Sequence, residues 1–313
     1  MAFKPVPQKF NAKINTITIG TDDRAITLGG ENTLPFYTFD AEIENSPKVG
    51  VEISDSGYFK GVPGIEEYYG WSSDIVEIAK KAAAMPGADF LAISLEGAHP
   101  DGENKSIEEC VDILRDIAEA VDIPIVVEGC KSIEKDSKLF EKAAEALQGK
   151  NILVLSAREE NYKAIAAGAG LAYGQKVGAE SAVDINLAKQ LNVLISQMGI
   201  RPDGLVMNLG SAAAGYGFEY VASTIDRVKA AALAQNDNML QMPIMTPVGA
   251  EVWSVKESIV SEEDFPEWGP AENRGIHMEV STAAACLAAG SNAVILRHPE
   301  SVAAVSALVK ELI

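Results

Sequence analysis

The sequence predicts an α/β fold, a (β/α)8 TIM barrel with an N-terminal β-hairpin extension. Eight short runs rich in Val, Ile and Leu recur along the chain, and helical periodicities lie between them. Together they span roughly 265 residues, the size of one such barrel, with no break in composition. A doubly wound open sheet would share the local pattern, but eight similar units favour closure. The expected organisation is an extension over residues 1–45 and a single barrel domain over 46–313.

The elements follow in order. "INTITIG", a DDR turn and "AITLGG" (14–30) read as an antiparallel hairpin that plugs or flanks the barrel bottom. The strands are "KVGVEIS" (48–54), "ADFLAISL" (88–95), "IPIVVEG" (123–129), "NILVLSA" (151–157), "GQKVGAE" (174–180), "DGLVMNL" (203–209), "MPIMTPV" (242–248) and "NAVILRH" (292–298). Most are nearly continuous in apolar residues, as parallel strands buried on both faces require. Between them, "DIVEIAKKAAAM", "SIEECVDILRDIAEAV", "DSKLFEKAAEALQG", "VDINLAKQLNVLISQMG" and "FEYVASTIDRVKAAALA" carry helical periodicity, and "SVAAVSALVKELI" is a final helix. Ser106 followed by Glu109 is a capping box. The acidic, Pro- and Gly-bearing stretch 261–276 is the longest irregular segment.

Composition narrows the function classes. The net charge of −19 over 313 residues argues against a nucleic-acid surface and disfavours an anionic membrane. "MAFKPVPQKF" lacks the apolar core of a secretory signal, and the longest apolar stretch, "STAAACLAAGSNAVILRH", is a buried helix and strand rather than a membrane span. The three cysteines, Cys110, Cys130 and Cys286, form no CxxC pair and are too few for a four-thiolate cluster. A cytoplasmic protein is expected.

Barrel chemistry sits on the loops that follow the strands. Glu96 and Glu128 could act as a carboxylate pair in proton transfer, or pair as solvated residues with Lys131 or Arg158. Cys130 could be a nucleophile or a small buried thiol. His99, His277 and His298 are too scattered to suggest a metal site. Asn208, Gly210, Ser211 and Ala212 follow the sixth strand, and Thr246 belongs to the seventh. By position these five are the candidate cofactor-binding residues, ahead of Glu96 and Glu128. "GSAAAGYG" (210–217) lacks both the P-loop ending and GxGxxG spacing. It is a tight turn, an anion site at a helix start, or a flat rim for something broad. "GAHPDG" (97–102) contains the His-x-x-Gly part of a cobalt-ligating Asp-x-His-x-x-Gly motif, but Gly97 stands where the Asp is needed.

Five stretches together resemble the small (delta) subunit family of the corrinoid iron–sulfur protein. They are "ITIGTDDRAITLGGENTLPFYTFDAEIENSPKVGVEISD", "GADFLAISLEGAHPDG", "NILVLSAREENYKAIAAGAGLAYGQKV", "GLVMNLGSAAAGYGFEY" and "MPIMTPVGAEVWSVKE", spread over the whole chain. The resemblance implies a barrel similar to the pterin-dependent methyltransferases, in a heterodimer with a large subunit that carries a [4Fe–4S] cluster and a corrinoid (cobalamin). The small subunit caps that corrinoid. It also implies a part in the reductive acetyl-CoA (Wood–Ljungdahl) pathway. There a methyltransferase delivers the methyl of methyltetrahydrofolate to Co(I), and methyl-Co(III) passes it to acetyl-CoA synthase. A stand-alone pterin-binding methyltransferase barrel is the alternative.

Overall fold

The computed structural model describes residues 6–313. Residues 1–5, the head of the expected extension and of the stretch read for a secretory signal, lie outside it. The chain begins with a hairpin, β1 (Ile17–Ile19) and β2 (Ile26–Leu28), joined by a 3-10 turn at Asp22–Arg24. Eight strands follow: β3 (Lys48–Ser54), β4 (Phe90–Ser94), β5 (Ile125–Glu128), β6 (Leu153–Ala157), β7 (Lys176–Glu180), β8 (Leu205–Asn208), β9 (Met245–Pro247) and β10 (Ala293–Leu296). They pair in parallel in the order β8-β7-β6-β5-β4-β3-β10-β9. A bridge from Met207 to Ile244 joins the two ends, with the Met207 N–H donating to Pro243 O at 2.8 Å. The sheet is therefore a closed barrel, and each strand lies within the run that predicts it.

The helices between strands start where local chemistry satisfies their free N–H groups. Ser106 Oγ accepts from Glu109 N at 3.1 Å while Glu109 Oε2 accepts from Ser106 N at 2.7 Å, the expected capping box. Asp74 and Asp184 cap the helices over 75–83 and 185–197. The helix over 133–146 begins before the stretch "DSKLFEKAAEALQG", which places Asp136 inside its first turn, where it accepts from Cys130 N at 2.7 Å. The segment 261–276 is less irregular than its composition suggests. It contains a 3-10 turn at Pro266–Trp268, and from Ala271 it belongs to a helix running to Ala289. Gly275 is tolerated there because the Trp253 ring fills its place: an added Cβ would lie 2.0 Å from that ring.

Strand side chains alternate between two separate apolar clusters. Val49, Val51, Ile53, Leu91 and Ile93 face outward to the helix layer. Phe90, Ala92, Val126, Leu153, Leu155, Val206, Met245, Ala293 and Ile295 face inward, where they pack with Ile17, Ile19, Ile26 and Leu28 of the hairpin. The hairpin thus plugs the barrel bottom rather than flanking it. Two inward positions are glycine because neighbours occupy their space. A Cβ at Gly50 would lie 2.2 Å from the Phe90 ring, and one at Gly178 would lie 2.4 Å from Leu155 Cδ1. Asn151 Nδ2 donates to Thr18 O and Gly20 O, both at 2.9 Å, fixing the plug to the wall. Further along the extension, Glu31 takes 2.6 Å and 2.8 Å contacts from Lys229 Nζ and Asn292 Nδ2. Burial pushes the Glu31 carboxyl up, but the Lys229 charge and these hydrogen bonds outweigh it, so it sits below its ordinary value.

Candidate functional site

Two residues beyond the apolar inward layer, the same parity brings polar side chains to the barrel mouth. Glu52 follows Gly50, Glu128 follows Val126, Glu180 follows Gly178, Asn208 follows Val206 and Arg297 follows Ile295. Arg297 grips Glu52 with two bonds, Nε to Oε2 at 2.8 Å and Nη2 to Oε1 at 3.0 Å. Its guanidinium carbon lies 3.5 Å from the centre of the Phe59 ring. Burial works against the Arg297 charge, but the Glu52 carboxylate and its hydrogen bonds outweigh it, with help from Glu128. The group therefore stays ionised. Arg158 Nη2 meets Glu180 Oε1 at 2.9 Å. Asn208 Nδ2 donates to Ser156 Oγ at 2.9 Å, and its Oδ1 accepts from Gly210 N at 3.0 Å.

Glu128 lacks a counter-charge of its own. Burial raises its pKa well above the ordinary carboxylate range, the nearby Glu52 charge adds to this, and Arg297 and Lys131 only partly oppose it. A neutral carboxylic acid is a proton donor. Its Oε1 is buried without a hydrogen-bond partner, and so is Ser211 Oγ. Both residues line a cavity of ≈ 200 Å³, together with Ser156, Arg158, Glu180 and Asn208. The arrangement offers hydrogen-bonding groups of both kinds against a wall whose charges are already matched. Among the described residues, no group of three His, Cys, Asp or Glu side chains is placed to hold a metal ion.

The structure brings Asn208, Gly210 and Ser211 together at this cavity. Ala212 instead borders a separate shallow groove with Val183, Tyr216 and Tyr220. Thr246 does not reach the mouth at all. It is 0% exposed, and its hydroxyl lies 2.7 Å from Ser291 Oγ behind the barrel wall. Its neighbours Met245, in the interior cluster, and Pro247, on the cavity wall, take the inward parity of β9. Of the two readings open for Glu96 and Glu128, the structure shows neither a carboxylate pair nor an ion pair with Lys131 or Arg158. Glu96 is exposed on a 3-10 turn, Arg158 is committed to Glu180, and the carboxylate pressing on Glu128 is Glu52. Cys130 is a buried thiol pushed up to about 11 by burial, so it is not a poised nucleophile. His298 caps the last helix, its Nδ1 accepting from Glu300 N at 3.2 Å, and burial lowers its pKa to about 4.

The glycines of "GSAAAGYG" answer a backbone demand. Gly210, Gly215 and Gly217 have φ of +82°, +89° and +85°, the left-handed region that only glycine enters freely. Ala213 is buried, and Ala214 N donates to Thr282 Oγ1 at 3.1 Å, which fastens the turn to the helix over 271–289. Beside Gly210 the chain accepts strain: Ala182 and the β-branched Val183 have φ of +44° and +65°. Val183 N donates to Leu209 O at 2.8 Å across that turn. Strained backbone held by its surroundings gathers at working sites. Glu52 and the two ion pairs escape sequence reasoning. Their signal is a charged or amide residue at the last inward position of several strands at once.

Residues 16–303 match the family described as CO dehydrogenase/acetyl-CoA synthase delta subunit. The chain belongs to that family. The delta subunit of the acetyl-CoA decarbonylase/synthase complex of Archaeoglobus fulgidus is 32% identical over 314 residues, covering 96% of this chain and 69% of the relative. A delta subunit from Methanosarcina acetivorans is 31% identical over 299 residues, covering 94% and 67%. Among solved structures, the chain is similar to 7,8-dihydropteroate synthase of Vibrio fischeri, with a TM-score of 0.56 at 11% identity over 94% of this chain and 97% of that one. It is also similar to the Xanthomonas albilineans enzyme with 4-aminobenzoic acid, at 0.55 and 14% over 95% and 97%. These likenesses establish the TIM-barrel fold of this delta-family chain. No described helix is long and apolar enough to cross a membrane.

Proposed function

We propose that this delta-family chain caps a corrinoid held by a large partner subunit, and takes part in methyl transfer from methyltetrahydrofolate toward acetyl-CoA synthase. The observation that carries this reading is the barrel mouth. Its ion pairs neutralise one another, Glu128 Oε1 and Ser211 Oγ stay buried without partners, and the adjoining rim 210–217 has no bulky side chain except Tyr216. A broad neutral ring edged with amides fits such a surface. When bound, the corrinoid supplies a nucleophilic cobalt for the methyl group, and the difficult chemistry is the cofactor's. This chain's share is to shield and orient: Asn208, Ser211 and Glu128 offer hydrogen bonds from the mouth, and the rim excludes water. The three thiols, all buried and raised to about 11 or 12, support assigning the [4Fe–4S] cluster to the partner. The methyltransferase and acetyl-CoA synthase are the further partners this reading calls for.

The test is a visible absorption spectrum across size-exclusion fractions, with the chain expressed alone and with its large subunit under anaerobic conditions. A corrinoid band confined to the two-chain peak is the expected result. A lack of any two-chain peak, with no corrinoid in either sample, would sink the proposal. A stand-alone pterin-binding methyltransferase is the second reading, favoured by one observation: a ≈ 200 Å³ cavity lined by Glu128 and Asn208 suits a flat hydrogen-bonding heterocycle. Binding of methyltetrahydrofolate to the isolated chain distinguishes it.

A further inference from the structure

The barrel mouth holds more hydrogen-bonding capacity than its own residues use, and the surplus has a definite chemistry. Glu52 is taken by Arg297 and Glu180 by Arg158. Asp136 is tied to the Cys130 amide. At the exposed edge stand Lys131 and Glu251, one of each sign. An anion entering here finds no uncommitted guanidinium, and a cation finds no free carboxylate pair. What remains unpartnered and buried is Glu128 Oε1 and Ser211 Oγ, on two residues of the same cavity wall.

We propose that the mouth cavity is a binding site for an uncharged amide or lactam group, held by Glu128 and Ser211 beside Asn208. A carboxylic acid and an amide complete each other. The acid O–H donates to the amide carbonyl while the amide N–H donates to the acid's carbonyl oxygen, so both oxygens of Glu128 are used. A ketone or ester offers only the acceptor half, and a carboxylate finds both guanidinium groups already committed to Glu52 and Glu180. Burial is what keeps Glu128 able to donate, since it favours the neutral acid. The cavity is large enough for an amide arm or a single fused heterocycle, not for a whole macrocycle.

The same chemistry has two sources. One is a peripheral carboxamide of a corrinoid presented by the large subunit, in which case the inference deepens the cap reading and rests on it. The other is the lactam of a free reduced pterin, in which case the site stands without that reading. The experiment uses the full chain in both arms. In the first, the complex with its large subunit is loaded with cyanocobalamin, or with a corrinoid whose peripheral amides are hydrolysed to carboxylates, and corrinoid retention on buffer exchange is read by absorption. In the second, the chain alone is dialysed against 5-methyltetrahydrofolate.

The expected result is that Glu128→Leu weakens retention or affinity about tenfold or more in one arm, the loss of a buried hydrogen bond to a good partner. Glu128→Gln, which keeps a donor and an acceptor, stays near wild type, and the hydrolysed corrinoid is not retained. An effect confined to the corrinoid assigns the amide arm. An effect confined to the pterin supports the site and removes the cap as its explanation. Unchanged corrinoid retention and unchanged or absent pterin binding in a folded Glu128→Leu overturn the proposal while leaving the cap reading intact. Should Glu128→Leu not fold, the pH profile decides. Glu52, Glu180, Arg297 and Lys131 face Glu128, with Arg158, Asp136 and Glu251 on the cavity wall. Wild-type binding that falls with rising pH while Glu128→Gln stays flat supports the site; parallel profiles overturn it.

Discussion

The two ends of this barrel are built from the same strands at the same parity, yet they are chemically opposite. At the bottom, Val126, Val206 and Ile295 pack against Ile17, Ile19, Ile26 and Leu28 of the hairpin. Two residues further along the same strands stand Glu128, Asn208 and Arg297. A rise of about 7 Å along each strand thus separates a dry packed floor from a polar mouth. The contrast divides the labour of the molecule. The floor contributes stability through buried area, and the mouth forgoes that gain to hold ionisable groups out of bulk water.

Four substitutions and pH shifts probe this division, from the largest expected effect down. Phe90→Ala empties the floor at the ring that fills the space over Gly50, and should cost about 3–5 kcal/mol in urea unfolding. A cost near zero would mean that the plug collapses to refill the space and that the floor is not packed as described. Acid should act at the other end. His298 is neutral in the fold with a pKa of about 4, against an ordinary 6.5. Its contribution is therefore fully present above about 6.5 and is lost as pH falls toward about 4, up to about 3 kcal/mol. His298→Asn, which can still cap the helix, should flatten that part of the stability–pH curve. A curve unchanged by the substitution would place the acid sensitivity elsewhere.

Arg297→Met leaves Glu52 and Glu128 without their guanidinium. The expected loss is about 1.5–3 kcal/mol, and Arg297→Lys, which keeps the charge, should recover part of it. A loss that Arg297→Lys does not reduce would show that Arg297 matters by its packing on Phe59 rather than by charge. The smallest effect should be a gain. Because the Glu128 pKa is raised in the fold, its contribution is full below the ordinary value of 4.5 and declines as pH rises toward the folded value. Glu128→Gln should therefore be more stable than wild type at pH 7 to 8 and indistinguishable near pH 4, by thermal melts. The reverse pattern would mean that Glu128 is ionised in the fold and that the mouth carries net charge.

The floor was more legible in the sequence than the mouth. Every strand run held its strand, because a doubly buried parallel strand writes itself as consecutive Val, Ile and Leu. That same continuity hides parity. In "MPIMTPV" nothing marks which residues look inward, so the sequence sets Thr246 at the mouth although it faces the helix layer. Asn208, Gly210 and Ser211 reach the cavity because they lie at the strand end and just after it, where position alone suffices. Glu52 reads in the sequence only as part of a strand. Its pairing with Arg297, 245 positions away, exists only once the barrel closes. The role of "GSAAAGYG" is equally hidden in one dimension, since a left-handed φ and a flat rim ask for the same small residues.

The hairpin plug has a kinetic consequence. With Ile17, Ile19, Ile26 and Leu28 sealing the lower end against the interior layer, the barrel has no through-passage. Anything that enters the mouth must leave by the same door. A partner lying across the rim would then act as a stopper: residence time in the cavity would follow the partner's lifetime on the barrel, and exchange would wait for the two chains to part or tilt.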